Sequence, residues 1–368
     1  MPLTSNTARS LVALLLSAAV ACSGSAFGGK TPKRYDRTQA QAALRKFEKP
    51  GLLIGEFALQ RKGVVDGDTI KVEGLDTSIR LLAIDTEEKF WTAEERRKYE
   101  MGWEVYLKTS RGDSVTPVKL ATPVGEEASA WAKEWFKDVD VVRLERDHPR
   151  ELRDRYNRYL AYCIAKKNGA WVNYHVEVVR AGMSPYFMKY GYSRRYHAEL
   201  VAAQDEARAA KRGIWDPDKQ HSPDYDERLA WWTARADFIQ QFDRDAEGRD
   251  DHIILTHWDS VARLEAHVGK PVEILATVGS IKLGDKGPTL VMLSRRMFVD
   301  FTLVFFDKDV FGSSGIERYR GEFIRVQGTV ARYYNKFKKK NELQMIIDLP
   351  SQVTGTRLPW LEHEGGDQ

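Results

Sequence analysis

Two short runs hold residue types suited to work on a phosphodiester. Asp66-Gly67-Asp68-Thr69 is followed by Arg80-Leu81-Leu82-Ala83-Ile84-Asp85-Thr86-Glu87-Glu88. Carboxylates such as Asp68 and Asp85 are the hard oxygen ligands that Ca²⁺ takes, and the Thr86 carbonyl is another oxygen of that kind. A phosphodiester under attack gains negative charge, which calls for a planar, permanently charged guanidinium such as Arg80. Glu88 is then left to accept a proton from water. The same run also fits a β-hairpin with solvated acids at its Asp-Gly turn, and on these residues alone the two readings stand close to level.

The run Asp154-Arg155-Tyr156-Asn157-Arg158-Tyr159-Leu160-Ala161-Tyr162 adds a second arginine, Arg158, directly before an apolar strand. Gly125-Glu126-Glu127-Ala128-Ser129-Ala130 lies between the two runs, and Gly213-Ile214-Trp215 follows a basic helix. With these motifs in this order, roughly residues 52–216 resemble the staphylococcal nuclease (thermonuclease) family. The resemblance implies Asp68 and Asp85 as metal carboxylates, Thr86 as a backbone-carbonyl ligand, and Arg80 and Arg158 as phosphate clamps. Glu88 becomes the general base, or the residue that orders the attacking water. Ca²⁺ is the implied cofactor, DNA, RNA or both the implied substrate, and 3′-phosphate ends the implied product. Arg155 and Tyr156 join the substrate-binding set, and Tyr186 aligns with a tyrosine that lines the family's nucleotide pocket. The second pocket tyrosine falls on Met188.

Two departures stand out. Glu87 replaces the family proline and offers a second carboxylate that competes with Glu88 as base or ligand. The segment Lys89 to Val124 is much longer than the mobile loop it replaces, and Thr92 to Glu100 is expected to form a short helix of its own. Gating of the site and surface elaboration are both open roles for it.

The elements that must position these residues follow from periodicity. Residues 52–60, 64–73 and 78–84 read as a β-meander, with Ile70 and Val72 alternating with polar positions. Glu127 to Lys137 reads as an amphipathic helix, Val139 to Glu145 and Tyr159 to Ala165 as strands, and Trp171 to Ala181 and Arg194 to Lys211 as helices closed by Gly182 and Gly213. Five strands with helices outside the barrel make an OB-type, α+β architecture. His148, His175 and His197 form no metal-ligand spacing and read as structural. Cys163 sits in an apolar run as an inert thiol, so no zinc site or disulfide framework is available.

The chain has 368 residues and a formal charge of +4, room for two cores and a weak preference for a polyanionic partner. Residues 1–21 read as a secretory signal peptide: Arg9, the apolar run Leu11 to Ala21, and the Ala19-Val20-Ala21 cleavage signal. Cys22 directly follows, so a lipobox with lipidation of Cys22, the one membrane attachment inferred, stands beside simple secretion. Either places the protein outside the cytoplasm, as a secreted or cell-envelope species.

The remaining domains are a polar tether over 22–50, the nuclease-like domain over 51–218, a linker with an amphipathic helix over 219–264, a second, smaller OB-like barrel over 265–355, and a tail over 356–368. The second barrel rests on alternation in Val272-Ile274-Ala276-Val278, Phe301-Leu303-Phe305 and Ile324-Val326-Gly328-Val330, and on turn glycines. It resembles OB-fold nucleic-acid-binding domains of the anticodon-binding type. Its tip interleaves Tyr333 and Tyr334 with Lys336, Lys338 and neighbouring lysines, a pattern that stacks bases and tracks phosphates, or that protects a hairpin edge. The alternative function class is a catalytically inactive nuclease-like module binding nucleic acid or a protein partner at the envelope. Such modules tend to lose acids or arginines, and this chain keeps them. No obligate protein partner is inferred.

Overall fold

The computed structural model describes residues 52–151, 154, 156, 158–293, 301–336 and 339–362. The leader with Cys22, the tether, Arg155 and Lys338 lie outside the described residues.

The first sheet contains β1 (Leu53–Val64), β2 (Thr69–Val72), β3 (Ile79–Leu81), β4 (Val141–Glu145), β5 (Tyr159–Lys167) and β6 (Ala170–Asn173), in spatial order β3-β2-β1-β4-β5-β6. β5 also pairs in parallel with β3, which closes five strands into a barrel and leaves β6 as an extension. Alternation fixes which way side chains point: Ile79 and Leu81 are buried, so Arg80 between them leaves by the outer face. Helices α1 (Ala93–Glu100), α2 (Trp103–Arg111) and α3 (Pro123–Trp135) lie between β3 and β4, and α4 (Tyr174–Arg180) and α5 (His197–Ala209) follow β6. The expected insertion helix is present as α1, set by a capping box between Thr92 and Glu95. Trp171, expected on a helix, instead sits on β6, because the helix starts only where the Asn173 side chain caps the His175 amide.

A 21-residue helix, α6 (Tyr225–Asp245), joins the two halves. Beyond it come β7 (His252–Ile254), α7 (Ser260–Ala266), β8 (Pro271–Lys282), β9 (Thr289–Leu293), β10 (Phe301–Phe305), α8 (Lys308–Ser314), β11 (Phe323–Asn335), β12 (Lys340–Ile346), β13 (Val353–Gly355) and α9 (Pro359–Glu362). The order β8-β9-β10-β12-β11 closes again through a β11–β8 pairing. Each barrel therefore runs first-second-third-fifth-fourth strand and returns to the first. In each, the third and fifth strands are the parallel pair. The second sheet thus closes with the same strand connectivity as the first. The β4–β5 loop of the first barrel, which holds Arg158, corresponds to the β11–β12 tip of the second.

α6 serves both cores. Trp231, Trp232 and Ala236 belong to the core of the first barrel, whereas Ile239 and Phe242 pack with Leu275 and Phe323 of the second. Between them, buried Arg235 pairs with Glu322, which also accepts from the Trp231 indole at 3.1 Å, and Arg235 donates to the Lys189 carbonyl at 2.9 Å. A buried pair of this kind is costly to break from one side, by about 3–5 kcal/mol. Residues 356–362 do not form a free tail: Leu358 is fully buried in the first core and Trp360 packs edge-on against Trp231.

Candidate active site

The β1–β2 turn, the end of β3 and the β4–β5 loop meet at one rim of the first barrel. The parallel β3–β5 register sets Arg80 opposite Leu160 and Ile79 opposite Tyr159. Ser78 therefore faces Arg158, and the Tyr159 amide donates to the Ser78 carbonyl at 3.0 Å. Since Tyr159 and Ala161 are buried, Arg158 and Arg80 emerge on the same outer face.

Arg80 is the hub. One arm of its guanidinium pairs with Asp68, and the other donates to Asp85 Oδ1 at 2.6 Å and to the Ile84 carbonyl at 3.1 Å. To bring Asp85 back onto the guanidinium the chain turns through Ala83, which takes the left-handed backbone (φ 56°), a strained conformation for alanine. Asp68 is buried and accepts from the Thr86 amide at 3.2 Å and the Thr69 hydroxyl at 3.0 Å. Burial alone raises a carboxyl pKa, but here Arg80 and Lys119 outweigh it and hold Asp68 down at about 2. Asp66 is pushed the other way, to about 6, by burial and by the charge of Asp68. Gly67 is required by close approach, because a Cβ there would lie 2.4 Å from Thr86 Cγ2.

The two adjacent glutamates are separated by the fold. Glu87 is buried and accepts from the Thr122 hydroxyl, the Ser222 amide at 2.7 Å and the Tyr225 hydroxyl at 2.8 Å. It ties the turn to α6 and α3 and does not compete at the cleft. Glu88 points into the cleft, where its carboxylate meets Lys119 Nζ at 2.8 Å and the Trp91 indole at 3.3 Å. Gly125 lets α3 abut this backbone: a Cβ there would lie 2.0 Å from the Glu88 carbonyl oxygen.

Lys119 was not singled out by sequence. It comes from the insertion, on a stretch where Ala121 bridges to Glu88 in parallel, with the Glu88 amide donating to the Leu120 carbonyl at 3.3 Å and the Thr122 amide donating to the Glu88 carbonyl at 2.9 Å. The insertion is held from outside as well, by Arg111 with Asp224 and Glu227, and by Arg228 with the Val118 carbonyl. Lys119 Nζ lies 2.9 Å from Asp85 Oδ1. Burial would lower its pKa, but Asp85, Asp68 and Glu88 override it and raise the pKa, so Lys119 is firmly protonated.

Arg158 is held by Asp154 through its Nε at 2.8 Å and Nη2 at 2.7 Å, and stands over the exposed Tyr156 ring. Both arginines, Asp68, Asp85, Glu88, Lys119 and Tyr156 line one cleft of about 1470 Å³ that continues along α6 to the second barrel. Tyr190 and Tyr192 line it too. Tyr186 does not: it is fully buried, with its hydroxyl on the Ser193 amide at 2.8 Å and on His197 Nδ1 at 3.0 Å. Its expected place in a nucleotide pocket is therefore corrected. Thr86 is buried behind Asp68, and Tyr333, Tyr334 and Lys336 are on the exposed arm of the second barrel, apart from this cluster.

The donor set has the chemistry of a hard-cation site. Asp68 and Asp85 converge on one guanidinium, and Arg80 and Lys119 both hold Oδ1 of Asp85, so neither engages its Oδ2. Among the described residues no three His, Cys, Asp or Glu side chains form a ready cage. A bound cation there would draw most of its oxygens from water, the backbone and substrate.

Residues 78–217 match the family described as staphylococcal nuclease homologue. An uncharacterized protein of Methanocaldococcus jannaschii is 30% identical over 161 residues, covering 42% of this chain and 69% of that protein. A thermonuclease of Staphylococcus intermedius is 28% identical over 160 residues, covering 42% of this chain and 74% of its own length. The barrel, the order of its motifs and these similarities agree: through its first domain this chain belongs to the staphylococcal nuclease family.

Proposed function

We propose that this chain is an exported, Ca²⁺-dependent nuclease that hydrolyses phosphodiester bonds of DNA, RNA or both and leaves 3′-phosphate ends. The observation that supports it most is the Arg80 guanidinium bridging Asp68 and Asp85 beside Arg158 on one face of the barrel rim. Asp68, Asp85 and the Thr86 carbonyl would hold the cation, which supplies Lewis-acid polarisation of a phosphoryl oxygen when bound. Arg80 and Arg158 present forked donors to the phosphate oxygens and favour the extra charge of the pentacoordinate state. Glu88, the carboxylate that faces the cleft, orients water and takes its proton. The second barrel, on this reading, holds a longer strand through Tyr333, Tyr334, Lys336 and Lys338, in the manner of anticodon-binding-type OB domains.

Export rests on the Arg9 to Ala21 leader, with Cys22 as the candidate lipid-bearing residue. The deciding experiment is cleavage of DNA and RNA by the purified full chain in Ca²⁺ or in excess EGTA, with product ends identified by phosphatase sensitivity. Ca²⁺-dependent products with 3′-phosphates are expected. Binding without cleavage in any metal would favour the inactive module.

A further inference from the structure

The insertion places a protonated amine where a cation bound to Asp85 would be nearest. Lys119 Nζ donates to Asp85 Oδ1 at 2.9 Å and to Glu88 at 2.8 Å, so a single ammonium group occupies the space between the two carboxylates. Its position is set by backbone: the Glu88–Ala121 bridge fixes residues 120–122 against residue 88, and Arg228 holds the Val118 carbonyl on the other side. A lysine stem of four carbons can swing its amine out of the cleft while that backbone stays in place. Its side chain is 38% exposed, which leaves it a route to solvent.

From this geometry we infer that Lys119 is a built-in competitor of the divalent cation: it occupies Asp85 and Glu88 when the cation is absent, and cation binding and this lysine contact exclude one another. The inference rests on the reading of Asp85 as a cation ligand. It goes beyond that reading by giving the long insertion a task, setting the cation concentration at which the site fills. Two like charges on one carboxylate, a few ångströms apart, repel strongly in a partly desolvated cleft, and the amine is the mobile partner. When it leaves Asp85 it also leaves Glu88, so the same movement uncovers the carboxylate that faces water.

The test is calorimetric titration of the full chain with Ca²⁺ alone, without nucleic acid. Lys119→Met removes the charge and keeps the stem, and should bind Ca²⁺ at least tenfold more tightly than the wild type, a gain of about 1.4 kcal/mol. Lys119→Arg, which keeps the charge, should show no such gain. Lys119→Gln serves as the second neutral variant should Lys119→Met fail to give a cooperative melt. An unchanged or weaker affinity in the neutral variants overturns the inference, and so does the lack of any Ca²⁺ binding in wild type and variants alike. Tighter binding by a chain that cleaves nothing would defeat the nuclease reading alone, whereas Ca²⁺-dependent cleavage with unchanged affinity would defeat this inference alone.

Discussion

Arg80 and Arg158 leave neighbouring parallel strands on the same face of the barrel, yet they are held by opposite means. Arg80 is clasped by two carboxylates from separate segments, Asp68 and Asp85, whereas Arg158 is clasped by Asp154 within its own loop. One arginine is part of the framework of the site. The other is set by local chain geometry and is more accessible, with 29% of its side chain exposed against 14% for Arg80.

This difference predicts two distinct phenotypes. Arg80→Lys and Arg158→Lys each lose the planar fork and should each lower kcat by roughly 10²-fold or more. Arg80→Lys should also lower stability, by about 1–3 kcal/mol, because Asp68 and Asp85 lose donors in a buried setting. Arg158→Lys should leave the denaturation midpoint nearly unchanged. Paired kinetics and urea melts check this, and near-native turnover in either variant contradicts the clamp assignment.

The adjacent glutamates should separate in the same way. Glu88→Gln is expected to abolish most turnover and leave stability intact. Glu87→Gln should retain most turnover but lose about 1–3 kcal/mol, since it disturbs acceptors for Thr122, Ser222 and Tyr225. The reverse ranking in kcat would move the base to Glu87.

Hard-oxygen donors around Arg80, with no thiol or imidazole beside them among the described residues, predict a requirement for Ca²⁺. Excess EGTA should remove activity, and added Ca²⁺ should restore it. Full turnover in EGTA would refute the metal assignment.

Acid should destabilise the fold through buried neutral histidines. His175 is fully buried, with Nε2 accepting from the Cys163 amide at 2.8 Å and Nδ1 against the Leu82 carbonyl at 2.6 Å. Burial brings its pKa down to about 3, and burial with nearby Arg194 and Arg150 brings His148, stacked on His257, down to about 4. The unfolded chain takes these protons below about pH 6.5 and the folded chain does not, so stability is retained above 6.5 and lost as pH falls toward 4 and then 3. For His175 alone the loss at pH 5 amounts to about 2 kcal/mol. Denaturant unfolding at pH 7.5 and 5 measures it, and equal stabilities would be the contrary result.

The second barrel should contribute to capture and not to chemistry. Replacing Lys336 and the lysines at 338–340 with Ala should raise KM for long substrates while sparing kcat on a dinucleotide-sized one. Each lost phosphate contact should flatten the log–log salt dependence by about 0.7–0.9. Unchanged affinity and slope would assign the arm another role.

Much of this architecture was legible in the chain because alternation and capping are local. Strands around Ile70, Leu144 and Ala161, the short helix within Thr92 to Glu100 and the amphipathic linker helix all follow from spacing within a few residues. The acid–arginine motifs were also visible, although their convergence depends on barrel closure. What stayed hidden depends on distant partners. Nothing near Lys119 in sequence points to Asp85, and a lysine in a mixed-charge insertion reads as surface. Nothing near Glu87 announces Tyr225, and the buried face of α6 was blurred by Arg228 and Arg235, which reach the Val118 carbonyl and Glu322 in other segments. β9 and β12 were missed because their alternation is short or interrupted by polar residues.

The burial of Leu358 and the packing of Trp360 on Trp231 have a consequence for how the molecule is made. The core of the first barrel takes apolar side chains from α6 and from residues that follow the second barrel in the chain. An N-terminal domain commonly finishes folding while the rest of the chain is still being synthesised. This one cannot seal its core until the second barrel and the segment after it have been made. Synthesis halted after residue 218 would leave a nuclease-like barrel with an open, sticky side, so the finished cleft depends on the second half of the molecule.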